Sequence, residues 1–527
     1  MAAIVTDQFR IANANNFVDS VLDANNSYYV FLGLSNPGET GSAVGFGRTT
    51  TWGDTPSTPP SPVDNQQYLS HYRNTALFGK KLNSSNVRRV VRKVSWTVNT
   101  RYDMYRHDYS GSNKSPNAQS ARLYDSNYFV VNKDFRVYIC LQNGSHGPIE
   151  SLGSNLTGNN SQDEPTFTDL EPSAAGTSND GYIWKYLFTI SPSDIIKFDS
   201  TEYIVLPNDW STSTDFQIQS VRDAGDSTVN NNQIKTVYIA DGGKGVYTAG
   251  TYDIKGDGTG AKVNIEVDTS GSITKATVVA GGSGYTFGIV DFQHASNTTI
   301  PAGDQAKLIP IIPPSRGHGY DVYTELGSDR VLVYSRFDDS TKDFPTDTKF
   351  AQIGIVKNPE KYNSKTIYTA NEYSSLGAIK LVQSFTGTPV VGAAISQTTA
   401  DGEARGYIAS YDTETKVLKY YQDRSRAFAN TIDQTDSVNT SSTANIVSFA
   451  STTSNIEGNI SAGVDIAFTG ITTSIGDKQV SLGVTFTGGV ADPEINKNTG
   501  DIIYIDNRSL VTRDSRQKED VKIILEF

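Results

Sequence analysis

Asp180-Gly181-Tyr182-Ile183-Trp184-Lys185-Tyr186-Leu187-Phe188-Thr189-Ile190 is the stretch on which the fold class turns. Tyr182, Trp184, Tyr186, Phe188 and Ile190 share one side of a period of two. Ile183, Lys185, Leu187 and Thr189 share the other. Successive side chains of an extended backbone point to opposite faces, so this alternation predicts a strand. A face with four aromatic rings reads as sheet core or a subunit interface rather than as a sugar-stacking platform.

The same pattern recurs outward from this strand. Phe135–Leu141 alternates with Val137, Ile139 and Leu141 on one face, and Tyr203–Leu206 is a short apolar strand stopped by Pro207. Further strands are expected at Arg330–Phe337, Phe350–Val356, Asp501–Ile505 and from Val521 to Phe527. A strand reaching Phe527 would tie the last residues into a sheet. Val87–Val98 reads as a strand region. Its basic residues Arg88, Arg89, Arg92 and Lys93 are interleaved with Val87, Val90, Val91 and Val94, which predicts a half-buried strand with a solvated face. Intersubunit salt bridges or phosphate contacts are the other uses of that cluster. One helix is expected, Thr6–Leu22, capped by Thr6, with Asp7 in its first turn and Phe9, Phe17 and Val21 on one face. Residues 36–66 are rich in turn formers, including Asn36-Pro37-Gly38, Pro56, Pro59, Pro60 and Pro62, and read as a loop.

Composition agrees with a mainly β chain. Tyr (28) and Phe (22) far outnumber Met (2), and only 37% of residues are hydrophobic and 19% charged. Ser, Thr, Asn and Gly fill the gap, and these favour turns over helix interiors. At roughly 150 residues per domain, 527 residues suggest about three or four domains. Two stretches stand apart by composition. In one, Asp241-Gly242-Gly243-Lys244-Gly245-Val246-Tyr247-Thr248 is echoed by Ala280-Gly281-Gly282-Ser283-Gly284-Tyr285-Thr286, with a strand at Lys262–Val267 between them. The organisation read from this is a core over 1–225, 316–384 and 496–527. It is interrupted by a Gly-rich β-module at 226–315 and a Thr/Ser/Gly-rich β-module at 385–495.

Charge and motifs narrow the function classes. A net charge of −12 argues against nonspecific nucleic-acid binding and against docking on anionic membranes. A single cysteine, Cys140, allows no intrachain disulfide and fits folding in a reducing cytoplasm. No apolar signal core opens the chain, and no apolar run approaches the ~18 residues of a membrane span. His71, His107, His146, His294 and His318 show no paired spacing, so no metal site of the zinc type is expected. Gly33–Thr40 resembles a phosphate loop but carries Glu39 where a lysine must meet phosphate. Gly256-Asp257-Gly258-Thr259-Gly260 lacks the third glycine of a dinucleotide loop and reads as a turn, and Asp257 lacks the acidic neighbours of a calcium loop. No Gly-x-Ser-x-Gly elbow occurs, and no feature selects one carboxylate pair, such as Asp163–Glu164, for glycoside hydrolysis. The expectation is a chain without catalytic residues, cofactor or metal.

Several segments together resemble a known family. These are Ala3–Arg10 with the strand containing Phe31, Leu32 and Gly33; Asp180–Phe188; and Thr201–Pro207. Gln352-Ile353-Gly354-Ile355-Val356-Lys357-Asn358-Pro359, Gly500–Arg508 and Ile523–Phe527 complete the set. In this order they resemble the gene-eight baseplate wedge proteins of large contractile-tailed bacteriophages. The resemblance covers roughly 1–220, 316–365 and 496–527. The two modules look like insertions of the kind carried by longer versions in cyanobacterial phages. It implies a β-sandwich core with a few helices in loops and no catalysis. It further implies a homodimer within each wedge, contacts with other wedge proteins, and a place in the virion's tail baseplate after assembly in the host cytoplasm. Candidate interface or core residues are Tyr182, Trp184, Tyr186, Phe188, Arg88, Arg89 and Arg508. The competing readings are a carbohydrate-binding tail adhesin, motivated by the Gly-Tyr repeats, and a virion-associated glycan hydrolase.

Overall fold

The computed structural model describes residues 5–33, 59, 61–62, 64–66, 69, 72–73, 76–225, 231–245, 247–292, 300–301, 303–338, 349–390, 393–422, 447–497, 499–512 and 517–527. Most of the expected 36–66 loop, and the phosphate-loop-like residues after Gly33, lie outside these. Strand accounts for 43% of the chain and helix for 10%, in several antiparallel sheets, so the fold is mainly β. The chain forms two compact units. The first comprises Met1–Val18, Arg88–Leu332 and Ile524–Phe527, and the second Asp19–Val87 and Val333–Ile523.

In the second unit, a five-stranded sheet runs in the order Glu372–Ser374, Ala76–Lys81, Tyr28–Gly33, Lys349–Lys357, Asp501–Thr512. Its central strand is buried along its whole length. Phe31 stands opposite Gly79 on one neighbour and Gly354 on the other. A Cβ on Gly354 would overlap the Phe31 ring, and one on Gly79 would overlap the Tyr373 ring. Each glycine therefore makes room for an aromatic side chain lying across the sheet. Tyr29, Phe31, Val356, Tyr368, Tyr373 and Ile495 form one buried cluster here. A separate eight-stranded sheet draws its strands from between Gly377 and Ala491, with Ala394–Thr399 and Gly402–Asp412 at its middle. Its core is Ile379, Leu381, Ile395, Ile408, Leu418 and their neighbours.

In the first unit, Phe129–Val131, Arg136–Asn143 and Tyr182–Thr189 form a three-stranded sheet. The 236–311 stretch builds a two-stranded stem, Thr236–Asp241 against Lys307–Ile311. Beyond it lies a four-stranded sheet in the order Ile273–Ser283, Thr259–Val267, Gly250–Gly256, Gly288–Val290. Stem and sheet share one apolar core, which also includes Ile149.

The Gly-Tyr repeat has a conformational basis. Gly243 and Gly282 adopt φ of 67° and 62°, a left-handed backbone that a residue with a Cβ rarely takes. Each turn delivers a tyrosine into the core. Tyr247 accepts from the Ala306 amide at 2.6 Å, and Tyr285 donates to the Ile254 carbonyl at 3.0 Å. Asp257 closes the intervening turn by accepting from the amides of Thr286 (2.9 Å) and Phe287 (3.2 Å).

Two expectations need correction. The N-terminal helix spans Asp7–Leu22, and Thr6 Oγ1 caps it by accepting from the Phe9 amide at 3.3 Å. Its buried stripe, however, is Ile11, Ala14, Val18 and Val21, whereas Phe9 is exposed. The small Ala14 completes the i, i+3, i+7 spacing that the larger phenylalanines obscured. The basic strand is shorter than read, Val87–Arg92, and has no solvated face. Arg89 is buried and Arg88 nearly so, because each guanidinium finds a partner within the first unit, as described next.

Candidate functional site

The aromatic strand lies inside the first unit. Tyr182, Trp184, Tyr186 and Phe188 are all buried, and so are Lys185 and Leu187 on the opposite face. Trp184 stacks on Tyr182, with ring centroids 5.3 Å apart and planes 13° apart, and meets the edge of Tyr102 at 5.8 Å. The Tyr182 hydroxyl donates to the Asn159 carbonyl (2.8 Å) and accepts from the Tyr102 amide (2.9 Å). Tyr186 meets Tyr138, and Phe188 meets Trp210. These rings hold the sheet to its loops and leave no open face for a sugar. The tyrosines of the Gly-Tyr repeat, Tyr247 and Tyr285, are likewise core residues.

Arg88 and Arg89 share one strand but serve different contacts. Arg88 pairs with Asp194 at 2.8 Å and lies over the Phe198 ring. Arg89 donates to Asn15 at 2.5 Å and rests 4.3 Å from the Tyr323 ring centroid. Arg508 belongs to the second unit, on Asp501–Thr512, where it is exposed and pairs with Asp506 at 2.8 Å. The structure thus groups the four aromatic candidates on one strand and leaves Arg508 in the other unit.

Behind the aromatic strand sits a buried ionic group that alternation alone gives no reason to expect. Lys185 donates to the Leu170 carbonyl at 2.7 Å. Burial pushes its ammonium down to about 8, with the Glu325 carboxylate opposing the shift. Glu325 receives His318 Nδ1 and the Gly319 amide, each at 2.6 Å, and the Tyr128 hydroxyl donates to its main-chain carbonyl at 2.6 Å. The His318 ring packs edge-on to Tyr105. The carboxylate is thus held by the short segment 318–325 itself, in a surrounding that favours pairing over solvent. Cys140 is buried too. Its thiol is pushed up by burial, the opposite of what a nucleophilic thiolate needs.

The first unit also carries an open cleft of about 590 Å³. It lies between the 106–119 segment, Leu156 and Thr157, and the stem strands, with Tyr238, Ala240, Lys307 and Ile309 on the far wall. Arg106 forms its floor. The guanidinium makes a two-point pair with Asp108, at 2.9 and 2.7 Å, and lies 4.1 Å from the Tyr238 ring centroid. Burial disfavours both charges, yet the pair outweighs it. Asp108 is held below the usual carboxylate range, and the Arg106 guanidinium is held above its own. The loop beyond is fixed from behind. Buried Asp103 accepts from the amides of Asn117 (2.9 Å) and Ala118 (3.1 Å), and Asn117 reaches the Thr157 carbonyl at 3.0 Å.

No protein-family model matches the chain, and no curated protein matches it significantly. Chemistry must therefore be read from the residues themselves. Among the described residues, no group of three or more His, Cys, Asp or Glu side chains is placed to hold a metal ion. No described helix is long and apolar enough to cross a membrane. The sequence reading passed over the cleft residues Arg106, Asp108, Lys114 and Lys307. The run Asp103-Met104-Tyr105-Arg106 lacks apolar periodicity yet all four residues are buried, so the sequence there carried no signal for a cleft.

Proposed function

We propose that this chain is a structural subunit of the baseplate wedge of a contractile phage tail, contributing to baseplate assembly and to its rearrangement at infection. One observation carries the reading. The segments resembling the wedge family are far apart in sequence, yet three of them are adjacent strands of one sheet. Phe31–Gly33 lies on Tyr28–Gly33, Gln352–Lys357 on Lys349–Lys357, and Asp501–Arg508 on Asp501–Thr512. The register runs through Gly354, which stands opposite Phe31 on one side and Ile505 on the other. Chance likenesses scattered over a chain have no reason to converge on one sheet. The stretches without a counterpart in the family fold mostly into sheets of their own.

A wedge subunit works through preformed surfaces. Rigid, ring-packed sheets bearing long loops suit that task, because little entropy is lost when such surfaces dock. In this reading the protein is a homodimer that contacts other wedge proteins, without nucleic acid, membrane or cofactor. The test is assembly: co-expression with the neighbouring tail proteins should yield a defined complex containing this chain. Failure to co-purify with any of them would count against the proposal.

A further inference from the structure

The cleft over Arg106 has a charge balance unlike that of the whole chain. Its lining holds three cations, Arg106, Lys114 and Lys307, against one carboxylate, Asp108, in a protein of net charge −12. Asp108 is already neutralised by its two-point pair with Arg106. Lys114 and Lys307 are exposed and form no ion pair among the described residues. Two exposed cations on opposite walls of a concavity focus a positive field into it, although Asp241, outside the lining, stands opposite Lys307 in the stem register.

The remaining lining describes the rest of the ligand. Pro116, Leu156, Ala240 and Ile309 are apolar, while Asn113, Gln119 and Thr157 offer amides and a hydroxyl. The volume falls within the ~300–1,000 Å³ typical of ligand clefts. A neutral sugar would want an open ring face. The only aromatic ring among the described lining residues, Tyr238, is buried and covered by the Arg106 guanidinium. A nucleic acid would need a longer basic track than two lysines. A chain of carboxylates alternating with apolar side chains satisfies both kinds of wall. The loop is held from behind by Asp103 and Asn117, so little ordering is needed on binding.

We propose that the cleft between the Asp108–Gln119 loop and the Thr236–Asp241/Lys307–Ile311 stem is a docking site for an acidic, leucine-bearing peptide segment of a partner protein, with Lys114 and Lys307 pairing its carboxylates. This holds whether or not the chain is a wedge subunit.

The test uses the full chain and a fluorescein-labelled hexapeptide alternating Asp or Glu with Leu, followed by anisotropy. The acidic peptide should bind, weaken with salt, and outcompete both its Asn/Gln counterpart and a sulfated disaccharide. Lys114→Ala with Lys307→Ala should weaken binding by at least about tenfold. Both side chains are exposed, so an unchanged melting curve is expected. Lys114→Glu with Lys307→Glu should instead bind a Lys/Leu peptide. Absent binding, binding indifferent to the double substitutions, equal binding of the amide peptide, or preference for the sulfated disaccharide would each overturn the proposal.

Discussion

Truncating Trp184 should destabilise the first unit more than any other single change on the aromatic strand. The side chain is fully buried, stacked on Tyr182 and in edge contact with Tyr102. Removing a buried Trp costs about 3–5 kcal/mol through lost transfer energy and the cavity left behind. Each ring pair adds about 0.5–1.5 kcal/mol beyond area, which favours the upper end. One effect works the other way. The indole Nε1 is buried without a hydrogen-bond partner among the described residues, so truncation recovers about 1–3 kcal/mol of desolvation. The net expectation for Trp184→Ala is about 2–4 kcal/mol. At about 2–4 °C per kcal/mol, the midpoint falls by roughly 4–16 °C. Trp184→Phe keeps a ring in the stack and drops the unpaired N–H, so it should cost less than about 1.5 kcal/mol. Thermal denaturation followed by circular dichroism gives the shift, and hydrogen exchange over 136–143 and 182–189 assigns it to this unit. A Trp184→Ala midpoint within about 2 °C of the parent, or a Phe variant as damaged as the Ala variant, would refute the reasoning.

Three further outcomes follow from the same packing. Tyr182→Phe removes the acceptor for the buried Tyr102 amide and should cost about 1–3 kcal/mol in chemical denaturation. Gly354→Ala pushes a Cβ into the Phe31 ring and should destabilise the second unit by about 1–3 kcal/mol, partly relieved by adding Phe31→Leu in a double-mutant cycle. Lys185→Met should narrow its stability gap to the parent in one direction only. The folded-state pKa is lowered to about 8 from 10.5, so between these values the unfolded chain binds more protons. The parent's stability therefore rises with pH relative to the Met variant across that window, by up to an amount on the order of 3 kcal/mol, and is flat below it. Denaturation midpoints of both proteins over pH 7 to 11 provide the check.

Local alternation made the strands legible and their surroundings much less so. Tyr182–Ile190 reads as a strand, and residues 182–189 form one, because period-two patterning is a property of the backbone itself. The same pattern places Lys185 on a face that could meet water, but the Leu170 carbonyl takes its ammonium and Gly319 lies beside its stem, and nothing near Lys185 in sequence announces that. Arg88 and Arg89 failed as solvated residues for the same reason: Asp194, Asn15 and Tyr323 are distant in sequence. In the helix, counting large side chains picked out Phe9, whereas packing selected Ile11, Ala14 and Val18. The cleft was invisible because its walls come from residues near 110, 156, 240 and 308, joined only by the stem's closure. The turn glycines were readable, since the repeat demands a backbone that few other residues adopt.

The most direct test of the wedge reading is the solution mass of the purified chain by light scattering, alone and mixed with candidate wedge partners. A stable dimer that joins a defined larger complex is the predicted result. A monomer or trimer that ignores those partners would contradict it.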